Sequence, residues 1–86
     1  MILSKAHTID LLLEIERDEG RPKHQLSGGS KTRNTRIDEM ETEGLVRTAW
    51  VRSHNAHRVY LTAKGRRIAR ALRLVMEVYR EGAPDP

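Results

Sequence analysis

The chain has 86 residues, of which 33% are charged and 37% apolar; it contains no Cys and no Phe, and its formal net charge is +4. That length allows one small domain, which buries only about 60–65% of its unfolded surface and so gains from pairing with a second copy. The missing cysteines exclude disulfides, thiolate zinc sites and cysteine nucleophiles and suit a reducing, cytoplasmic setting, while no apolar run exceeds the length of Leu11-Leu12-Leu13, far short of the ~20 residues of a membrane span.

Ile9, Leu12 and Leu13, with Leu11 and Ile15 beside them, recur at helical spacing within residues 5–18, with acids at 10, 14, 16 and 18 between them. This predicts an amphipathic helix capped by Ser4 or Thr8 and ending near Gly20, its acids on a solvated face. Ile2 and Leu3 are expected to form a short strand or packing arm. Between 21 and 36 the only aliphatic side chain is Leu26. Pro22 and Gly28 bracket a short helical turn, in the asymmetric placement that helix ends favour. Gly28-Gly29 then predicts a tight turn, and Ser30 the N-cap of a third helix over 31–43.

That third helix buries a narrow stripe through Ile37 and Met40. Its first half reads Lys31, Thr32, Arg33, Asn34, Thr35 and Arg36, every one a hydrogen-bond donor. Its acids crowd toward the C-terminal half, against the helix macrodipole, and such local conflicts collect at functional sites.

After Gly44 the period changes. Leu45–Arg52 and Arg58–Thr62, around the polar Ser53–His57, predict a hairpin with Val59 and Leu61 facing the core and Arg58 and Tyr60 facing away. Trp50 is expected to pack at the hairpin base or in a dimer contact, with base stacking the lesser alternative. Thr62 caps a last helix, 63–81, with one apolar stripe through Ile68, Leu72, Val75 or Met76 and Tyr79 and another through Ala71, Leu74 and Val78. One small core cannot cover both, so the helix is expected to meet a second copy through Ala71, Leu74, Val75, Val78 and Tyr79. Residues 1–81 are read as one domain and 82–86 as a loose tail.

Charge is segregated along the chain. Residues 21–37 carry five Lys or Arg and no acid, and residues 44–76 carry eight and no acid. Cations that displace condensed counterions gain entropy on a polyanion, which points to nucleic acid. An arginine-rich solvated surface is the bland alternative.

The order of helix, turn-helix, helix ending in EMETEGLV, hairpin and VYLTAKGRRIARAL resembles the winged helix-turn-helix regulators of MarR-like or PadR-like type, including small archaeal and archaeal-viral ones. The matching residues are Ile37, Met40, Gly44, Leu45 and Val46, then Tyr60, Leu61, Thr62 and Gly65. One departure is Arg33, at a position the family usually fills with an aliphatic residue. The resemblance implies an α+β, mainly α fold with a two-stranded wing and a long C-terminal dimerisation helix. It implies a homodimeric DNA-binding transcription regulator, the helix 31–43 entering the major groove and the wing, 47–60, touching backbone or minor groove.

Lys31, Thr32, Arg33, Asn34, Thr35 and Arg36 are then the expected groove residues, and Arg52, His54, His57 and Arg58 those of the wing. Asn can bond adenine bidentately and Arg guanine, whereas Lys and Thr suit phosphates or a thymine methyl. A nonspecific chromatin-type DNA binder and a winged-helix protein-interaction module are the alternatives.

Gly28-Gly29-Ser30-Lys31-Thr32 lacks the spacing and preceding strand of a phosphate loop. His54 and His57 have no Cys or carboxylate near them in sequence to complete a metal site. No nucleophile-base arrangement is identifiable. The chain is therefore expected to be no enzyme and to hold no cofactor or metal; whether it takes a small-molecule effector is not legible.

Overall fold

A computed structural model describes residues 1–82; of the expected tail, 83–86 lie outside the described residues. His7 adopts a left-handed conformation, φ 72°, and helix α1 (Thr8–Arg17) starts directly after it. That later start sets the phase of the helix. Thr8, Leu11, Leu12 and Ile15 fall at i, i+3, i+4 and i+7 and are wholly buried, whereas Ile9, expected in the stripe, is 36% exposed. Ile2–Ser4 forms a 3₁₀ turn rather than a strand, and Ile2 and Leu3 pack against the core as an arm.

The short helix α2 (Lys23–Ser27) runs from Pro22 as N-cap to Gly28, whose φ of 56° closes it in the left-handed conformation. Leu26 is its anchor, 2% exposed. Helix α3 (Lys31–Thr42) is capped as expected, the Ser30 hydroxyl accepting from the Arg33 N–H at 3.2 Å. Leu11, Leu12, Ile15, Leu26, Ile37, Met40, Leu45, Val46, Val59, Leu61 and Ala69 form one continuous core. Each large aliphatic buried there contributes about 1.5–3 kcal/mol of transfer free energy.

The hairpin consists of β2 (Val46–Val51) and β3 (Ala56–Leu61), antiparallel from Val46 opposite Leu61 to Val51 opposite Ala56. A 3₁₀ turn, Arg52–His54, and left-handed Asn55 close its tip. A two-residue strand, β1 (Arg21–Pro22), pairs with the other side of β3 and makes the sheet three-stranded in the order β1-β3-β2. A proline-containing pair has no period to read, so sequence gives no sign of it. Strand β2 thus lies at the sheet edge, where the Glu41 carboxylate of α3 accepts from the Thr48 N–H at 2.8 Å and its hydroxyl at 2.9 Å.

Helix α4 (Ala63–Arg80) is joined to the turn after α3 by a compact lock. The Thr62 hydroxyl accepts from the Gly65 N–H at 3.0 Å and donates to the Gly44 carbonyl at 2.6 Å, while the Thr62 N–H donates to the Leu45 carbonyl at 3.1 Å. Gly65 lies directly on that carbonyl: a Cβ would stand 2.8 Å from the Leu45 carbonyl carbon and closer still to its oxygen. Glu19 bonds the Leu61 N–H and the Arg66 guanidinium, tying the end of α1 to β3 and α4. Burial works against its charge, but Arg66, the Leu61 N–H and Arg47 outweigh it and hold its pKa below the ordinary glutamate value.

Beyond Ala69 the helix leaves the core. Ile68, Leu72 and Met76 stay half-buried against the domain, whereas Leu74, Val75, Val78 and Tyr79 are 61%, 63%, 61% and 82% exposed, with Ala71 exposed beside them. Of the two expected stripes, the inward one therefore takes Met76 rather than Val75, and Tyr79 belongs to the outward one. None of the described helices is long and apolar enough to cross a membrane.

Gly65→Ala forces either α4 or the Leu45 peptide to move. The expected loss is about 1–3 kcal/mol, read as a drop in Tm of about 4–8 °C per kcal/mol in a domain this size. A thermal melt of the variant that overlays the wild type would show the close approach to be unimportant.

Candidate nucleic-acid interface

Helix α3 crosses the domain so that Ile37 and Met40 face the core and its N-terminal turns lie at the surface. Among its first six residues the donors divide into two sets. Lys31, Thr32 and Thr35 are exposed and surround a shallow surface depression together with Arg36. Asn34 is half-buried, on the side facing α2 and the hairpin tip.

Arg33 and Arg36 turn inward, in place of the outward positions expected of them. The Arg33 guanidinium donates to the Leu26 carbonyl at 2.9 Å and to Glu14 of α1 at 2.9 Å. It thereby satisfies a carbonyl near the C-terminal end of α2 and neutralises an α1 acid, work that an aliphatic residue at this position could not do. Arg36 donates to the Ala6 carbonyl at 3.0 Å and to Glu39 at 2.9 Å, and only 13% of its side chain is exposed. The hydrogen bond from Lys5 is the main influence that holds the Glu39 carboxyl below the usual range; partial desolvation opposes it and Arg36 adds to it.

The acids in the second half of α3 have partners as well. Asp38 pairs with Lys23 at 2.5 Å, Glu39 with Lys5 at 2.7 Å, and Glu41 with Thr48. Their crowding against the macrodipole is thus explained by tertiary bonds rather than by a functional strain. Residues 31–37 contain no carboxylate of their own, and of their donors Lys31, Thr32 and Thr35 remain at the surface.

On the wing, Arg52 and His54 sit exposed at the tip and His57 is exposed on β3. Arg58 is drawn in: it donates to the Gly20 carbonyl at 2.6 Å, and its Nε is buried without a partner. Tyr60 is half-buried, its ring against Gly20 and under the Arg47 guanidinium, which lies 4.6 Å from the ring centroid. Trp50 packs neither at the hairpin base nor into the domain. It is 53% exposed and meets His57, its cross-strand neighbour, edge to face with centroids 4.9 Å apart.

Of the acids of the first helix, expected to be solvated, Asp10 and Asp18 are exposed, but Glu14 and Glu16 are anchors, as is Glu19 just beyond the helix. Glu14, Glu19 and Glu16 bind Arg33, Arg66 and Arg73, partners 19, 47 and 57 positions away in sequence. No local spacing could have revealed those pairs. His24 of α2, which sequence reading passed over, stands with Asn34, Trp50 and His57 around one cleft. Among the described residues no group of three His, Cys, Asp or Glu is placed to hold a metal ion.

No protein-family profile and no curated protein sequence matches the chain. Solved structures do match it. The crystal structure of SSV1 F-93 is 23% identical with a TM-score of 0.71, over 85% of this chain and 84% of that one. The transcriptional repressor CouR, bound to a 23-mer DNA duplex, is 21% identical with a TM-score of 0.75, over 93% of this chain and 60% of CouR. A MarR-family transcriptional regulator from Silicibacter pomeroyi is 23% identical with a TM-score of 0.74, over 96% of this chain and 62% of that protein. The chain thus spans about three fifths of the length of the last two. At these identities the likeness establishes the fold, a winged helix with α2 and α3 as its helix-turn-helix and β2–β3 as its wing.

The placement of Arg33 separates it from its neighbours experimentally. Arg33→Ala leaves Glu14 and the Leu26 carbonyl unpaired and is expected to cost about 1–3 kcal/mol in urea denaturation, whereas Lys31→Ala stays within about 0.5 kcal/mol of the wild type. Equal denaturation midpoints for the two variants would contradict the inward assignment.

Proposed function

We propose that the protein is a DNA-binding transcription regulator that acts as a homodimer, with the N-terminal half of α3 in the major groove and the β2–β3 wing on the flanking backbone or minor groove. The observation that carries this reading is the donor set at the N-terminal half of α3, exposed Lys31, Thr32 and Thr35 with half-buried Asn34, in a stretch of chain that has no acid of its own. The fold shared with CouR, which is bound to duplex DNA, supports the same reading.

In this arrangement Lys31, Thr32, Asn34 and Thr35 face the groove. Asn34 is suited to adenine, the threonines to phosphate or a thymine methyl, and Lys31 to phosphate. Arg52, His54 and His57 serve the wing. Arg33, Arg36 and Arg58 support these elements from behind. The outward stripe of α4 supplies the dimer contact, because exposed Leu74, Val75, Val78 and Tyr79 form a continuous apolar strip along a helix that has left its own core. A two-fold dimer then presents two α3 helices about 34 Å apart, one turn of DNA.

The inward turn of Arg33 and Arg36 specifically favours a second reading. It removes both arginines able to read guanine and leaves Asn34 as the one bidentate base reader among the expected groove residues. A duplex-coating protein with little sequence preference would look like this.

Fluorescence anisotropy of labelled duplex, titrated with salt and with random competitor, separates the readings. Binding that weakens steeply with salt is expected of both. A competitor-resistant fraction marks a regulator, complete competition a coating protein, and absence of binding near physiological salt refutes both. Within the first reading, Asn34→Ala is expected to cost about 1–3 kcal/mol on the preferred site only, and Arg52→Ala to weaken all sequences alike.

The dimer has its own test. Leu74→Glu with Val78→Glu is expected to halve the mass found by light scattering while the circular dichroism of the domain is kept. A wild type that is already monomeric at micromolar concentration would rule out the α4 contact.

A further inference from the structure

The cleft between α2, α3 and the hairpin tip contains two side chains that the groove and wing contacts above leave without a role, His24 and Trp50. It has a volume of about 290 Å³ and is lined by Lys23 and His24 of α2, Asn34 of α3, and Trp50, Asn55 and His57 of the hairpin. That volume falls just below the roughly 300–1,000 Å³ of small-molecule sites, and the cleft is shallow and open to solvent. No carboxylate lines it. Asp38, which pairs with Lys23, reaches it only through that ammonium.

Its one large apolar surface is Trp50. The ring is 53% exposed and is fixed by its edge-to-face contact with His57. An indole held in place at the surface, with imidazoles and amides around it, offers a flat apolar face and a ring of donors together. That pairing fits a sugar-phosphate unit, whose sugar packs on an aromatic face while its phosphate takes hydrogen bonds. The cleft adjoins the groove surface at Asn34, which stands one helical turn from Lys31, three positions before it.

We propose that this cleft seats one deoxyribose-phosphate unit of the duplex strand that borders the groove occupied by α3, the sugar packed on Trp50 and the phosphate held by His24. This rests on the DNA-binding reading and adds a contact point between recognition helix and wing. It makes Trp50 a determinant of affinity but not of sequence preference, because every nucleotide carries the same sugar and phosphate.

Trp50 is the only tryptophan of the chain, so its emission reports on the cleft in the unmodified protein. An unlabelled mixed-sequence duplex is titrated into the wild type, and emission and acrylamide quenching are followed alongside anisotropy of a labelled copy. The expected result is a change in Trp50 emission that saturates together with the anisotropy, with quenching reduced in the complex. Trp50→Ala is expected to weaken binding about tenfold on all duplexes, and Trp50→Phe by less. Anisotropy that saturates while Trp50 emission and quenching stay unchanged overturns the cleft contact and leaves DNA binding intact. Single-stranded oligonucleotide that binds more tightly than duplex and quenches Trp50 more strongly also overturns it, by showing a base-stacking platform. Absence of any anisotropy change overturns the DNA-binding reading and this inference together.

Discussion

Everything that presents a surface to a partner hangs on the meeting of two short backbone segments, Gly44-Leu45 and Thr62 to Gly65. Helix α3 ends at the first and the wing begins there; the wing ends at the second and α4 begins. Three hydrogen bonds centred on Thr62, together with a glycine that leaves no gap between helix and carbonyl, join them. Because the wing is a closed loop between these segments, the angle at which α3, the hairpin and α4 diverge is fixed locally. Helices α3 and α4 can then keep a constant relation although the core between them is thin.

Electrostatics divides the basic residues into two populations. One is bound internally: Lys5, Lys23, Arg33, Arg36, Arg66 and Arg73 each reach a carboxylate on another segment or turn. Most of these pairs are partly exposed and individually worth little. Collectively they hold the two arginines of α3 inward and tie α1 to α3 and α4. The other population, Lys31 and Arg52 among it, remains at the surface. A net charge of +4 understates the local field wherever the acid-free stretches 21–37 and 44–76 reach the surface.

The division also explains which parts of the structure were legible in the sequence. Caps, turns and strand alternation are local, and Ser30, Gly28, Thr62 and the pair Val59 and Leu61 act as their spacing implies. The phase of α1 does not follow from its aliphatic residues, because Thr8, a polar residue, completes its buried stripe and His7 rather than Ser4 precedes its first turn. Arg33 looked like one more donor in a row of six; only the arrival of Glu14 and the Leu26 carbonyl beside it gives it a different task. Trp50 could not be placed from sequence either, since an aromatic in a strand is compatible with either face until the register with His57 is known.

Glu41 has a consequence outside recognition altogether. Strand β2 is the open edge of the sheet, six residues long and carrying Trp50 and two valines, the kind of strand that recruits another chain. The carboxylate occupies the Thr48 N–H in the middle of that edge. An incoming strand would lose a donor there and have to approach a negative charge with its own carbonyls. Glu41, one of the acids crowded toward the C-terminal half of α3, thus blocks strand addition at that edge, beside an exposed tryptophan.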